Sequence, residues 1–501
     1  MDRSAENEVS DAVEPTVPAI VADAGTAAPA VTPSAAPAST GRRYDRSIVE
    51  GPLFPAVWAI AWPTMLQNII GGLQGIVDHV MVGRYVGFNA NAAIGVSWQI
   101  FLVVIVFISS LFAGMSVLVA RFVGAGDHDK VDRTVYQAFL TAAFLSIGVL
   151  APAGYFVSPW LLEFVNAAPE VRAEALPYLR IMFAFSLGMM LFFMLGGALR
   201  SAGDARTPLR LGVAVTVLNL VLNVILIRGL GPIPALGTAG AAWGTVIAFG
   251  VVGIYALAKL WSGTWVVGFP RGESMGPDWG IIRALFRFGL PTGIQGVVMN
   301  VGGVLLLSFI GSLAQSAAAQ AAYAVSYTQL FSFVTWTTVG LMGAAATVAG
   351  QSLGAKKPER ATDAVHTAAR IAVIGAGLFG LIFLLLPRQL LAIFGMNEPV
   401  VVQLGVQLLR ILSLSGLFVA VALTYTGGLQ GTGDTRSPLY ISIISQVAVP
   451  LGLCFIIQQT SVLDPIDIWL AILLGHFTRC ALSVIRFNQG KWRAIAVDIS
   501  N

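Results

Sequence analysis

Charge is what this chain has least of. Lys and Arg number 29 and Asp and Glu 25 in 501 residues, 11% of the whole. A soluble domain carries roughly 25% charged residues, so a surface wetted all round is excluded. Cysteine and histidine are scarce too, at two and four. Cys454 and Cys480 lie in apolar stretches, which speaks against a disulfide framework. No His stands at ligand-like spacing from another His, Cys or carboxylate, so neither a metal site nor a catalytic constellation is expected, and no enzyme activity. The formal net charge is only +4, and no Lys/Arg cluster is interleaved with aromatics, so no nucleic-acid partner is expected either.

What the chain has in bulk is apolar length. It is 56% hydrophobic, with a mean hydropathy of +0.80. Stretches of about twenty apolar residues recur from end to end, as membrane-spanning helices require. The expected fold class is an all-α polytopic membrane protein, its partner the lipid bilayer. Twelve apolar segments fall near 54–82, 92–120, 134–157, 175–199, 211–229, 238–260, 288–310, 322–350, 368–386, 404–428, 438–457 and 467–486. Residues 1–45 are Ala, Pro, Thr, Val and acids without periodicity, and lack the basic start and apolar run of a signal peptide. A disordered tail is expected there.

The two halves are copies of each other. Gly203-Asp204-Ala205-Arg206-Thr207-Pro208-Leu209 returns as Gly433-Asp434-Thr435-Arg436-Ser437-Pro438-Leu439, a shift of 230 residues. Gly124-Ala125, Phe164, Pro169 and Arg180 return at the same shift as Gly354-Ala355, Phe394, Pro399 and Arg410. Trp62-Pro63-Thr64 returns as Leu290-Pro291-Thr292. The expected organisation is a six-helix lobe over 46–261, a linker over 262–287, a second six-helix lobe over 288–488 and a tail over 489–501. Six helices per copy keep the orientation, so a pseudo-two-fold along the membrane normal relates the lobes. Basic residues mark one side: Arg121, Lys130, Arg133, Arg200, Arg206, Arg210, Lys259, Arg271, Arg283, Arg287, Lys356, Lys357, Arg360, Arg370 and Arg436. The opposite connections hold Arg84, Arg228 and Arg388, with Arg180 and Arg410 just inside helices. By the positive-inside rule both termini are expected in the cytoplasm.

The first apolar segment carries a polar stripe. Thr64, Gln67, Gly71, Gln74 and Asp78 follow at steps of three, four, three and four, one face of a helix. An acid inside a membrane helix is costly, and its default reading is a functional site facing protein or water. The alternative is a helix-end carboxylate reaching out to the surface past Gly83. In the second copy Thr64 and Gln67 match Thr292 and Gln295, but Gln74 matches Gly302 and Asp78 matches Leu306. Gln67, Gln74 and Gln295 either line a cavity or hold helices together. Tyr323, Tyr327 and Phe331 form an aromatic face at steps of four. It offers a cavity wall with cation–π attraction for lipophilic cations or an interfacial belt.

Gly75-Ile76-Val77-Asp78 followed by Val82-Gly83, the two Gly-Asp-x-Arg-x-Pro loops, and Asn219-Leu220-Val221-Leu222-Asn223 followed by Gly237-Thr238-Ala239-Gly240-Ala241-Ala242 occur in order. In these residues the chain resembles the multidrug and toxic compound extrusion (MATE) family over about residues 50–488. The resemblance implies an antiporter without organic cofactor, in which inward flow of protons or sodium drives export of organic, often cationic, small molecules. It implies that Asp78 couples the ion, with Asn219, Asn223 and Thr245 as the matching polar group. Members often carry Asp at the position of Asn223; here Asp78 is left as the lobe's only intramembrane carboxylate, which tilts the expectation to protons. A single chain is expected to suffice. The Gly-Asp-x-Arg-x-Pro loops read as structural, with Asp–Arg pairs latching one surface. The major facilitator type is disfavoured because Gly124-Ala125-Gly126-Asp127-His128-Asp129 lacks its basic motif. A lipid or oligosaccharide-lipid flippase of related architecture is the remaining alternative.

Overall fold

A segment surrounded by lipid must satisfy its backbone internally, and a helix does so residue by residue. The computed structural model describes residues 45–165, 167–270 and 275–497. The tail expected over 1–45 therefore lies, except for Asp45, outside the described residues. Twelve helical rods follow one another: α1 Leu53–Tyr85, α2 Phe88–Ala125, α3 His128–Phe164, α4 in two pieces (Pro169–Ala184 and Leu187–Ser201), α5 Arg206–Arg228 and α6 Gly237–Ser262. The second series is α7 Trp279–Gly311, α8 Ser316–Gly354, α9 Pro358–Leu385, α10 Pro399–Gly431, α11 Arg436–Thr460 and α12 Pro465–Asn488. The pieces of α4 meet at 53°. The length and apolar character of these rods make the chain an integral membrane protein.

The rods run several residues past the apolar segments because local capping extends them. Asp127 accepts from Lys130 N ahead of α3, and Asp278 from Gly280 N and Ile281 N ahead of α7. Asp464 and Asp467 form a capping box at α12, and Pro169, Pro358, Pro399 and Pro465 occupy first helical positions, where the missing N–H is not needed. Thus α7 begins at Trp279, inside the expected linker, and the rest of that connection is packed down. Phe269 stacks edge-on against Tyr136 and Phe139, and Gly268 N donates to Asp132 Oδ1 at 2.9 Å. Three rods contain a wide π-helical turn: Leu145–Leu150 in α3, Ala324–Leu330 in α8 and Ile443–Ala448 in α11. The repeat counterparts of the latter two are regular α-helix, so the copies differ there.

Two hydrophobic cores form, and they exchange helix ends. Val57, Ile60 and Ala61 at the start of α1 belong to the core built mainly by α8–α12. Ile281, Ala284, Leu285 and Phe288 at the start of α7 belong to the core built mainly by α2–α6. The halves are closely joined at the basic end, which carries connections 126–127, 202–205, 355–357 and 432–435. There α2 and α8 touch backbone to backbone. A Cβ on Gly124 would lie 2.0 Å from Gln351 O, and one on Gly354 would lie 2.1 Å from Arg121 O; only glycine permits that approach.

Both flanks of the helical region strap this end. Ile48 is buried and its carbonyl accepts from Arg360 Nη2 at 2.7 Å. Beyond α12, Trp492 is buried, Arg493 pairs with Glu359 at 2.9 Å, and Ile495 O accepts from Arg121 Nη2 at 2.5 Å. The expected tail over 489–501 is thus ordered as far as residue 497, where description stops. Gly203 and Gly433 take positive φ, 101° and 99°, turning the chain between helices as the motif requires. The expected Asp–Arg latch within each loop is not what forms. Asp204 accepts from Arg206 N and Thr207 N, capping α5, while Asp434 pairs with Arg486 of α12 at 2.8 Å. The helix start that follows each Asp offers backbone donors nearer than the motif arginine's head group.

Candidate functional site

The stripe on α1 meets a second stripe on α5. Asp78 is half-buried, and its Oδ1 accepts from Asn223 Nδ2 at 2.8 Å. Asn223 Nδ2 also lies 3.2 Å from Asn219 Oδ1, to which Gln74 Nε2 donates at 3.1 Å. Asn219 Nδ2 donates to Thr245 Oγ1 at 3.1 Å, and the Thr245 proton goes to Ala241 O. Thr216 Oγ1 donates to Gln74 Oε1 at 2.7 Å. Asn219 and Asn223 are fully buried. The helical spacing of Thr216, Asn219 and Asn223 puts all three on the α5 face turned to α1. Asp78, Gln74, Asn219, Asn223 and Thr245 are therefore brought into one network of three helices.

The Asn219 amide at the centre of this network can be turned either way, while Asn223 Oδ1 is buried without a partner. In one orientation Asn223 Nδ2 donates to Asp78 and Asn219 Nδ2 donates to Thr245. Turned over, the Asn219 amide donates toward Asp78 Oδ1 at 3.3 Å and accepts from Thr245 Oγ1 at 3.1 Å. Gln74 and Asn223 must then turn as well, because an N–H cannot face an N–H. The first set fits a carboxylate; the second presents Asn223 Oδ1 to a protonated Asp78.

A cavity of about 320 Å³ lies alongside, lined by Gln67, Gln74 and Thr216 on one side and by Phe193, Trp336 and Val339 on others. Asp78 is one turn beyond Gln74 and is not part of that lining. Gln67 accepts from Arg200 Nη1 at 2.9 Å, and the Arg200 guanidinium lies 5.4 Å from the Phe112 ring. Thr64, by contrast, spends its hydroxyl on Ile60 O. Gln295 is buried among α7, α10 and α11, donating to Ser442 Oγ at 2.8 Å and accepting from Gln430 Nε2 at 3.0 Å. The structure places it between helices and not at the wall of either cavity described here. Leu306, at the repeat position of Asp78, is buried.

Tyr323 and Tyr327 line a second cavity of about 410 Å³ in the second half, with Met299, Gln446 and His476. The rings of Tyr323, Tyr327 and Phe331 stack at 4.9 and 5.5 Å, and Trp469 and His476 of α12 close the stack from the other side. Phe331 is buried behind the wall. The face is thus turned inward to α12 and not outward as an interfacial belt.

Some participants escaped the sequence reading. Thr216 continues the Asn219/Asn223 spacing by three residues and was legible. Arg200, read there only as a topology marker, reaches back to Gln67 because α4 extends to Ser201. Glu174 enters α4 because Pro169 starts that helix early, and Thr238 Oγ1 donates to it. Asp78 is therefore not the only acid on a helix of this half.

The MatE family model matches residues 63–225 and 291–456, one match on each copy of the repeat. The chain belongs to the MatE family. Among MatE relatives, a probable multidrug resistance protein NorM of Thermotoga maritima is 27% identical over 447 residues, covering 87% of this chain and 93% of the relative. The multidrug resistance protein MdtK of Pectobacterium atrosepticum is 25% identical over 440 residues, covering 86% and 94%. A solved structure described as the outward-facing conformation of a multidrug resistance MATE family transporter superposes with a TM-score of 0.82 at 21% identity, covering 90% of this chain and 98% of that one. A MATE crystal structure in the straight conformation gives 0.82 at 20% identity, covering 91% and 100%. The twelve-helix MatE fold expected from the repeat and the motifs is the fold found. The Asp78 stripe falls in the first matched segment and Leu306 in the second.

Proposed function

We propose that this MatE chain is a proton-coupled antiporter that exports cationic or lipophilic organic compounds by alternating access between its lobes, acting as a single chain with both termini in the cytoplasm. The carrying observation is the Asp78–Asn223 hydrogen bond at the head of a chain of amides that can turn from donating to a charged acid to accepting from a neutral one. Proton arrival at Asp78 reverses the amides of Asn223, Asn219 and Gln74 and so changes what Gln74 presents to the cavity it lines. A bare sodium ion would need oxygen ligands where Asn223 Nδ2 stands, which favours the proton. Export also follows the names of the relatives, both multidrug resistance proteins.

The closed seam of Gly124 and Gly354 at the basic end supports a resting form open at the other end. Coupling then requires that the protonated and the substrate-loaded protein prefer opposite conformations. The test is efflux of a fluorescent organic cation from vesicles under separately imposed proton and sodium gradients. Proton-driven efflux that disappears in Asp78→Asn is expected. Undiminished gradient-driven efflux by that variant, or drive by sodium alone, overturns the reading.

A further inference from the structure

The second lobe holds its own buried ionisable cluster, and its sign is opposite to that of the first. On α12, His476, Arg479 and Ser483 occupy one face at steps of three and four. His476 and Arg479 are each 4% exposed. Among the described residues Arg479 forms no ion pair, hydrogen bond or cation–π contact, and its Nε is a buried donor without a partner. The repeat equivalents of His476 and Arg479 are Val246 and Phe249. One copy therefore has an acid where the other has Leu306, and the other has an arginine where the first has Phe249.

The surroundings hold other polar groups without partners. His476 Nδ1, Gln446 Nε2, Ser445 Oγ, Trp469 Nε1 and Ser483 Oγ are buried without partners. Of these residues, Ser445, Gln446 and His476 line the 410 Å³ cavity with Tyr323 and Tyr327. Tyr327 sits on the wide turn of α8 and Ser445 and Gln446 on that of α11. A π-turn shifts side chains off the regular helical face and is frequent at functional sites. Glu359 pairs with Arg493, Asp434 with Arg486, and Asp467 belongs to the α12 cap, and among the described residues no acid pairs with Arg479. A buried arginine lacking a carboxylate, beside a cavity edged with free donors and flat rings, is arranged for an acid that arrives with a ligand.

We propose that the α7/α8/α11/α12 cavity is a binding site for organic carboxylates with a flat aromatic body. Gln446 Nε2, His476 and Tyr327 Oη hold the carboxylate, Arg479 balances its charge, and Tyr323 and Tyr327 wall the aromatic body. The site deepens the export reading by adding aromatic acids and zwitterions to the substrates, and it rests on that reading only for transport, not for binding.

The experiment is equilibrium binding to the full chain in nanodiscs of phosphatidylcholine, with no ion gradient, so that failure of the Asp78 reading leaves it unaffected. The probes are 2-naphthoate, its methyl ester and 2-naphthylmethylammonium. The expected result is naphthoate preferred over both by about tenfold, as charge-assisted hydrogen bonding in a buried site provides. That preference is expected to vanish in Arg479→Gln and to be partly kept in Arg479→Lys. Gln446→Leu, which leaves the arginine in place, is expected to weaken naphthoate alone and serves if Arg479→Gln does not fold. Equal binding of naphthoate and its ester by the unsubstituted protein overturns the proposal. So does a preference that survives both Arg479→Gln and Gln446→Leu.

Discussion

Gly124 and Gly354 are repeat partners that pack reciprocally. Each lies against the carbonyl of the residue three before the other, at 2.0 Å from Gln351 O and 2.1 Å from Arg121 O for an added Cβ. The pseudo-two-fold passes between them, and the contact closes the seam of α2 and α8. The obstacle to a side chain there is backbone, which cannot swing aside. Gly124→Ala and Gly354→Ala are each expected to destabilise the closed seam by about 1–3 kcal/mol. Alkylation of a single cysteine placed at Ser201, near this seam, is expected to rise in both variants. Unchanged labelling in both would show that the seam tolerates separation without opening.

Asn223 holds Asp78 through a 2.8 Å hydrogen bond and is itself fully buried. Asn223→Leu removes the donor from a carboxylate, a bond of about 1.5–3 kcal/mol. Proton-driven efflux of a dye is expected to fall at least as far as that free energy implies, about tenfold. Efflux at the unsubstituted rate would separate Asn223 from the coupling reaction.

Asp434 and Arg486 pair at 2.8 Å, with side chains 6% and 27% exposed. Arg486→Gln leaves a buried carboxylate unpaired and is expected to destabilise by about 3–5 kcal/mol. Adding Asp434→Asn to that variant should restore part of the loss, since the unpaired charge is then gone. Melting of the four proteins in detergent gives the cycle, and additive losses would count against a direct pair.

Trp492 belongs to a segment after the last helix, yet it is buried, stacks on Phe487 at 5.0 Å and donates to Phe487 O at 2.8 Å. Trp492→Ala is expected to lower stability by about 3–5 kcal/mol, as for aromatic truncation in a core. Deleting residues 490–501 should do at least as much, because Arg121 also loses its contact with Ile495 O. A melting temperature unchanged by the deletion would show that the strap carries no stability.

Part of the site was legible from spacing alone. Gln74 and Asp78 lie on the α1 face, and Asn219 and Asn223 on the α5 face, because a helix maps steps of three and four to one side. The orientation of the aromatic face was not legible. Tyr323, Tyr327 and Phe331 read equally as a wall or a belt until Trp469 and His476, about 140 residues later, were found stacked against them. Arg200 was counted only as a charge marking one side and Arg486 was not singled out, and only their reach across the chain gave Gln67 and Asp434 as partners.

The sequence by itself determined the membrane class, the twelve rods, the repeat and the lone acid on α1, since each is a matter of composition or of period along one helix. Tertiary structure decided which core each helix end joins, where the two glycines meet, and that the second lobe buries an arginine that meets no acid among the described residues. Those depend on contacts between residues far apart in the chain. Hydrophobic burial constrains such contacts only in sum, whereas hydrogen bonds and backbone approach select them one at a time.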